Sequence, residues 1–387
     1  MSTLPPHFTL LQVVPELETG GAEQTTLDIA RAVVRAGGRA LVASRGGRMA
    51  ARLEASGAIL IPLPMQSKNP LTIVRNGVRL TNLVRREKVS LIHARSRAPA
   101  ISALMASRAT GVPFLATYHG VYAAKGSLKR WYNSVMTRGP LTIANSAYTR
   151  ERIIAEHGLA PDTVVAINRG VDLDWFDPAK VTSQRIGALR ERWGIDPADE
   201  RVKFVLAGRL TRWKGQRLIV DAAARLKMNG GPAPLILLVG DDQGRNDYRA
   251  ELETAIGAAG LEESVRLVGH CDDMPAAYLI ADYALTPSLL PEPFGRTAVE
   301  PQAMGRPVLA ADRGAARETV ADGETGWLIT PGSEAAWAAA LAKAIALSPA
   351  KRAKMGEAAA TRARQLYSVD AMCEATLNLY ARIVGSS

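Results

Sequence analysis

YALTPSLLPEPFGRTAVEPQAMGRPVLAADRG, residues 283–314, reads as a strand, a loop, a helix and a second strand. YALTPS (283–288) and PVLAADRG (307–314) are continuous apolar runs, and TAVEPQAMG (297–305) between them has a helical pattern. Continuous rather than alternating apolar character marks strands covered on both faces, and strand–helix–strand succession marks a βαβ unit. The loop adds a chemical feature: Glu292 and Glu300 bracket a Phe-Gly step at the start of the helix.

Outward from this stretch the pattern repeats. Toward the C-terminus GWLIT follows; toward the N-terminus come VRLVGH, LILLVGDD and VKFVLAGRL. The first half carries TLLQVV, ALVAS, ILIPLP, LIHARS, FLATYHG, LTIANS and TVVAINRG. Helical patterns lie between these runs. LDIARAVVRAGG places Leu27, Ala30, Val33 and Val34 on one stripe and stops at Gly37-Gly38. The alternation predicts an α/β fold of doubly wound parallel sheets. Periodicity fails after Gly170, in GVDLDWFDPAKVTSQ, and the strand series restarts at Val202. We therefore expect two Rossmann-like domains, residues 1–172 and 190–366, joined by an irregular segment, with a helix over 367–387 returning to the first. A chain of 387 residues is long enough for two cores. In open sheets of this kind ligands sit at the carboxyl ends of the strands, so two such domains would face each other across a cleft lined by those ends.

Composition narrows the class. No run of about 20 apolar residues is free of charge, so no membrane span is expected. MSTLPPHFTLLQVV lacks a basic n-region and a small-residue cleavage site, and no signal peptide is expected. Cys271 and Cys373 have no zinc spacing and read as free thiols. The net charge of +11 is unevenly placed: residues 1–180 hold 23 Lys and Arg against 12 Asp and Glu, and the remainder balances at 25 against 25. An anionic partner for the first half follows: a membrane surface, nucleic acid or an acidic substrate. Nucleic acid is disfavoured by an aromatic content of 5% and by the lack of any recognisable nucleic-acid motif.

Three loops carry the candidate chemistry. Gly20 and Gly21 follow the first strand and open the first helix, where backbone and helix N-terminus can approach an anion. Arg209 and Lys214 stand in the loop after the first strand of the second half, a fork and a point charge suited to a diphosphate. In EPFGRTAVE, Glu292 reaches a sugar, the N–H groups of Gly295, Arg296 and Thr297 meet phosphate oxygens, and Glu300 accepts from ribose hydroxyls. Pro301, directly after Glu300, removes an N–H and crowds the Thr297 carbonyl, so the helix either starts later or kinks there. Asp172 and Asp174 form a D-x-D pattern far from a nucleotide strand end and read as a structural loop.

EPFGRTAVE resembles the E-x7-E signature of retaining glycosyltransferases of the GT-B fold, the group-1 or family-4 class. TGGAEQ, TYHGVY, INRGVDLDWFDP, GRLTRWKG and LVGDD accompany it in the family's order. HARSRAPA and ATYHGVY resemble proteobacterial enzymes of lipopolysaccharide and surface-polysaccharide assembly. The resemblance implies that Arg209 and Lys214 hold the donor diphosphate and stabilise the leaving nucleotide, that Glu292 contacts the sugar and Glu300 the ribose, and that His119 lies near sugar and acceptor. It implies Gly20 and Gly21 beneath the diphosphate, Phe294 to Thr297 around the donor, and His270 near the base. His93, Arg95, Arg97 and Tyr118 fall on the acceptor side; a satisfied structural histidine is the alternative for His93, and solvent-facing side chains for Arg95 and Arg97. It further implies a UDP-sugar donor, a lipid-linked or lipopolysaccharide-type acceptor, and no metal or other cofactor. The expected location is cytoplasmic, peripheral at an anionic inner membrane face. LKRWYNSVMTR (128–138) puts Leu128, Trp131, Tyr132, Val135 and Met136 on one stripe among Lys129, Arg130 and Arg138, an interfacial helix or one facing its own core. Arg75, Arg79 and Arg86 share a face of a second helix. The competing readings are another GT-B enzyme, such as a nucleotide-sugar epimerase or a phosphorylase, and a basic nucleic-acid-binding protein.

Overall fold

The computed structural model describes residues 4–18, 20–120, 126–244 and 246–385. Thr19, Val121 and Tyr122 of the quoted motifs, and the last two residues of the expected C-terminal helix, lie outside them. The chain divides into two compact units. One runs up to Gly170 and resumes at Val369; the other is Val171–Ser368.

The first unit holds seven parallel strands: β1 (Thr9–Val13), β2 (Arg39–Ser44), β3 (Ile59–Pro62), β4 (Leu91–Ala94), β5 (Phe114–Tyr118), β6 (Leu141–Ala144) and β7 (Val164–Ala166), in the order β3-β2-β1-β4-β5-β6-β7. Both faces are covered. Along β1, Leu10 belongs to the core on one side and Leu11 and Val13 to the core on the other. That is why the run reads as continuously apolar. Helix Gly21–Arg35 buries Leu27, Ala30 and Val33, with Val34 at the edge of the stripe.

The second unit holds six parallel strands: β8 (Lys203–Ala207), β9 (Leu235–Val239), β10 (Val265–Gly269), β11 (Tyr283–Thr286), β12 (Val308–Ala311) and β13 (Gly326–Ile329), in the order β10-β9-β8-β11-β12-β13. Val205 faces one core while Phe204 and Leu206 face the other. All thirteen apolar runs are strands, in the doubly wound α/β architecture that the resemblance implies. In each sheet the direction of strand addition reverses once, between β1 and β4 and between β8 and β11. The loops leaving two neighbouring strands part at such a point and open a crevice at their carboxyl ends.

Two boundaries differ from expectation. Residues 173–189 are no linker: Leu173, Phe176, Val181 and Ile186 pack into the core of the second unit. Helix Ser183–Arg192 belongs there as well, with Arg185 reaching both oxygens of Asp273 at 2.8 and 2.6 Å. Turns at Asp172 and Asp177 break the periodicity without taking the apolar residues out of the core. At the other end, Tyr367 still belongs to the second unit, and the returning helix is Val369–Gly385. Its Met372, Leu377, Tyr380 and Ile383 join the first unit's core.

Candidate active site

In the second unit the crevice lies between β8 and β11. After β8 the chain makes a short 3-10 turn, Arg212–Lys214, then helix Gln216–Met228. Gly215 between them has φ +81°, and a Cβ there would lie 2.3 Å from the Pro287 carbonyl oxygen. Only glycine permits this approach, which brings the two loops together. The Leu289 N–H donates to the Trp213 carbonyl at 2.7 Å. The result is that Lys214 Nζ donates to Glu292 Oε1 at 2.7 Å, with the ammonium 13% and the carboxylate 18% exposed. The Ser288 hydroxyl donates to the same oxygen. Lys214 also sits 4.4 Å over the Trp213 ring. Arg209 is exposed, its Nη1 3.4 Å from Gln243 Oε1.

Glu292 is held through both its backbone and its side chain. Its carbonyl accepts the Ala315 N–H at 3.0 Å, and its side chain is part of an ion pair at the crevice floor. Three residues on, Gly295 (φ +81°) starts helix Arg296–Ala303. The helix does not start later to avoid Pro301; it runs through it, giving up one backbone bond. Glu300 accordingly lies one turn in, and is buried: Arg296 Nη2 donates to Oε1 at 2.7 Å and the Tyr278 hydroxyl to Oε2 at 3.3 Å. Burial, then the Glu300 charge, push the Tyr278 phenol well up. Thr297 is partly exposed at the helix start. The Phe294 side chain is 2% exposed and packs edge-on against Tyr367, 5.6 Å between centroids, while the residue lines a small cavity with Ser288, Glu292 and Gly295. His270, after β10, is exposed and pairs with Asp272 at 2.8 Å.

In the first unit the candidates separate into a rim and a buried network. His119 follows β5. Its Nδ1 lies 2.9 Å from Arg169 Nη2, which also donates to the His119 carbonyl at 3.3 Å. Nε2 is buried without a hydrogen-bond partner among the described residues, a state that costs about 1–3 kcal/mol. Burial first, then the Arg169 and Arg95 charges, hold the imidazole well below its ordinary pKa. Gly20 and Gly21 open helix Gly21–Arg35, with the Glu23 carboxylate folded back against Gly20.

His93 and Arg95 are not on an acceptor surface. His93 is fully buried, bonded through Nδ1 to the Tyr380 hydroxyl at 2.6 Å and through Nε2 to Thr117 Oγ1 at 2.7 Å. Arg95 is 3% exposed, its Nε donating to Gln12 Oε1 at 2.9 Å. These groups form a polar core where β1, β4, β5 and helix Val369–Gly385 meet. An apolar pattern cannot announce such a network, because its members sit in otherwise hydrophobic runs. Tyr118 is also buried, with its hydroxyl donating to the Asn133 carbonyl at 2.9 Å. Arg97 stays partly exposed, donating to Asn133 Oδ1 at 2.8 Å.

Asp172 and Asp174 form a turn: Asp172 Oδ1 accepts the Asp174 and Trp175 N–H groups at 3.0 and 3.1 Å. Among the described residues no group of three or more His, Cys, Asp or Glu is arranged to hold a metal ion. Two residues at the rims were missed, Arg169 and Ser288. Each follows a predicted strand, in TVVAINRG and YALTPS, and that placement was the available signal.

Residues 189–362 match the family description "Glycosyl transferases group 1", and residues 19–175 match "Glycosyltransferase Family 4". A glycosyltransferase of Rickettsia africae is 30% identical over 99% of this chain and 100% of that one, with a TM-score of 0.91. The Anabaena protein HepE, solved in complex with UDP and glucose, is 27% identical over 98% of this chain and 100% of that one, with a TM-score of 0.81. D-inositol 3-phosphate glycosyltransferase of Corynebacterium aurimucosum is 32% identical over 244 residues, 62% of this chain. The match spans 56% of that relative's length.

Proposed function

The chain belongs to the glycosyltransferases of group 1 and family 4, with the two α/β domains of the GT-B fold, and we propose that it moves a hexosyl or N-acetylhexosaminyl group from a UDP-sugar to an anionic acceptor. One observation carries the reading. Two cations, Arg209 and Lys214, an uncapped helix start at Gly295–Thr297, and the carboxylates Glu292 and Glu300 are gathered at one strand-order reversal, between β8 and β11. Cations and helix N–H groups suit a diphosphate, and carboxylates suit sugar hydroxyls. UDP is taken as the nucleotide because the Anabaena neighbour binds it.

In the proposed step the bond from the anomeric carbon to the diphosphate oxygen breaks. An acceptor hydroxyl bonds to the same face of that carbon, and its proton passes to the departing phosphate. Configuration is retained. Arg209, Lys214 and the helix N-terminus offset the charge that develops on the leaving group, the task a metal ion performs elsewhere. His119 offers its Nε2 side to a substrate oxygen. Calorimetry with UDP tests the site: binding that survives Arg209→Ala and Lys214→Met unchanged would remove both residues from it. An α-linked product from an α-linked UDP-sugar, read from the anomeric proton coupling, tests retention.

For the acceptor we propose a lipid-linked or lipopolysaccharide-type molecule at the inner face of the cytoplasmic membrane. The first unit carries 23 Lys and Arg against 11 Asp and Glu, a net +12. The expected stripe over 128–138 is divided: Val135 and Met136 are buried in the core, while Leu128 is 78% and Trp131 62% exposed beside exposed Lys129 and Arg130. The division follows from a change of pitch, helix Ser127–Asn133 giving way to a 3-10 turn, Ser134–Thr137. Helix Pro70–Arg86 likewise exposes Leu71, Val74 and Val78 next to Arg75 and Arg79. Apolar and basic side chains exposed together suit an anionic lipid surface. No helix among the described residues is long and apolar enough to cross a membrane. A soluble phosphate-bearing acceptor is the second reading, favoured by the name of the curated relatives. Sedimentation with phosphatidylglycerol vesicles separates them. Salt-reversible binding, weakened by Leu128→Ala with Trp131→Ala, supports the membrane; no binding at low salt leaves the soluble acceptor.

A further inference from the structure

The residue after β7 that enters none of these assignments is Arg169. Its guanidinium lies against the first turn of helix Gly21–Arg35. A Cβ at Gly21 would be 2.6 Å from Nη1. Its Nη2 donates to both the ring nitrogen Nδ1 and the backbone carbonyl of His119. A guanidinium is a donor only, so Nδ1 must be the unprotonated nitrogen of a neutral imidazole. The ring proton then sits on Nε2, the buried nitrogen with no hydrogen-bond partner among the described residues. A buried donor left unmatched calls for a water, an ion or a ligand atom to complete it.

We propose that Arg169 is a positioning residue: it sets His119 in the Nε2–H tautomer, so that a donor N–H is presented to a substrate oxygen, and the missing side chain at Gly21 makes room for it. This rests on the transfer reaction proposed above for the substrate oxygen, but not for the tautomer. Among the described residues, the charges that bear most on the imidazole are those of Arg169 and Arg95, with His93 beyond. Without Arg169 nothing in this set distinguishes the two ring nitrogens in favour of Nε2–H.

The test uses the whole chain. Long-range nitrogen–proton NMR of the five histidines, with His119→Gln for assignment, reads the tautomer without any substrate. Wild type is expected in the Nε2–H form, and Arg169→Met is expected to populate Nδ1–H. Arg169→Lys, which keeps a donor facing Nδ1, is expected to preserve Nε2–H. Gly21→Ala, which crowds the guanidinium out, should resemble Arg169→Met and carries the test if that variant does not fold. With UDP-glucose hydrolysis as the activity probe, kcat should fall about tenfold, or 1.4 kcal/mol, in Arg169→Met, with KM unchanged and recovery in Arg169→Lys. An unchanged tautomer in Arg169→Met overturns the inference, as does an equal kcat loss in Arg169→Lys with the tautomer intact. Failure of the transfer reading shows separately, as absence of UDP binding.

Discussion

The Lys214–Glu292 pair makes a demanding prediction, because the same contact governs stability, nucleotide affinity and turnover in opposite directions. The ammonium and the carboxylate are 2.7 Å apart and mostly, but not wholly, withdrawn from water. Exposed pairs contribute about 0–1 kcal/mol, and breaking a fully buried one costs about 3–5. A pair between these limits should lose about 1–2 kcal/mol when either partner is neutralised. In a unit of this size that is a fall in Tm of roughly 2–8 °C. The two substitutions must also be non-additive: Lys214→Met with Glu292→Gln should cost no more than the worse single change.

Nucleotide binding separates the two partners. Lys214 has three donors, of which Glu292 takes one, so the others remain for phosphate. The carboxylate meanwhile repels the phosphate it flanks, by about 1 kcal/mol in water-like surroundings and more in a protein-like dielectric. Glu292→Gln should therefore tighten UDP binding roughly five-fold while turnover collapses. Lys214→Met should weaken UDP binding at least tenfold. Calorimetry with UDP and a melting curve on the four proteins of the cycle give every quantity. Additive stability losses, or a UDP affinity indifferent to both changes, would refute the assignment of this pair to the nucleotide crevice.

Arg209 is exposed, with one long contact among the described residues, so Arg209→Ala should leave stability unchanged within about 0.5 kcal/mol while weakening UDP at least tenfold, as loss of a charge-assisted contact implies. Transfer activity should survive EDTA; loss restored by added Mg²⁺ or Mn²⁺ would reject the cationic loop as the charge-stabilising device. His93 and His119 are both held neutral, well below the unfolded value of 6.5, burial being the first cause. The unfolded chain then binds more protons below pH 6.5, so stability is full above that pH and falls as pH drops below it. The slope is about 1.4 kcal/mol per pH unit for each histidine, and His93→Asn should remove one proton's share of it. Tyr380→Phe should cost about 1 kcal/mol, the bond to His93, measured as the shift in urea midpoint at constant slope.

The division of what could be read from residues alone follows a physical line. Strands covered on both faces write themselves as continuous apolar runs, so all thirteen were visible, and with them the strand ends where ligands dock. Arg209, Lys214, Glu292 and Glu300 were visible for the same reason, being polar residues directly after such runs. What the pattern could not carry was who pairs with whom. His93 and Arg95 also follow or end an apolar run, yet they turn inward, because Gln12 and Thr117 on the adjacent strands and Tyr380 on a helix some 290 residues away complete their hydrogen bonds. Residues 173–189 were misjudged by the converse effect: turn residues hid an apolar set that packs normally.

The contrast between His93 and His119 shows how a structural group can be told from a functional one when both are held neutral. His93 uses both ring nitrogens on its own protein, which leaves it nothing to offer a substrate. His119 uses one, on an arginine that can only donate, and keeps a buried Nε2 unmatched among the described residues. Satisfied nitrogens stabilise the fold and predict a stability loss on substitution. An unmatched nitrogen costs the fold free energy and predicts the reverse balance, with His119→Gln losing turnover while Tm holds or rises. A His119→Gln variant that melts markedly earlier and keeps full turnover would place His119 with His93, and the case for a substrate-facing Nε2–H would fall with it.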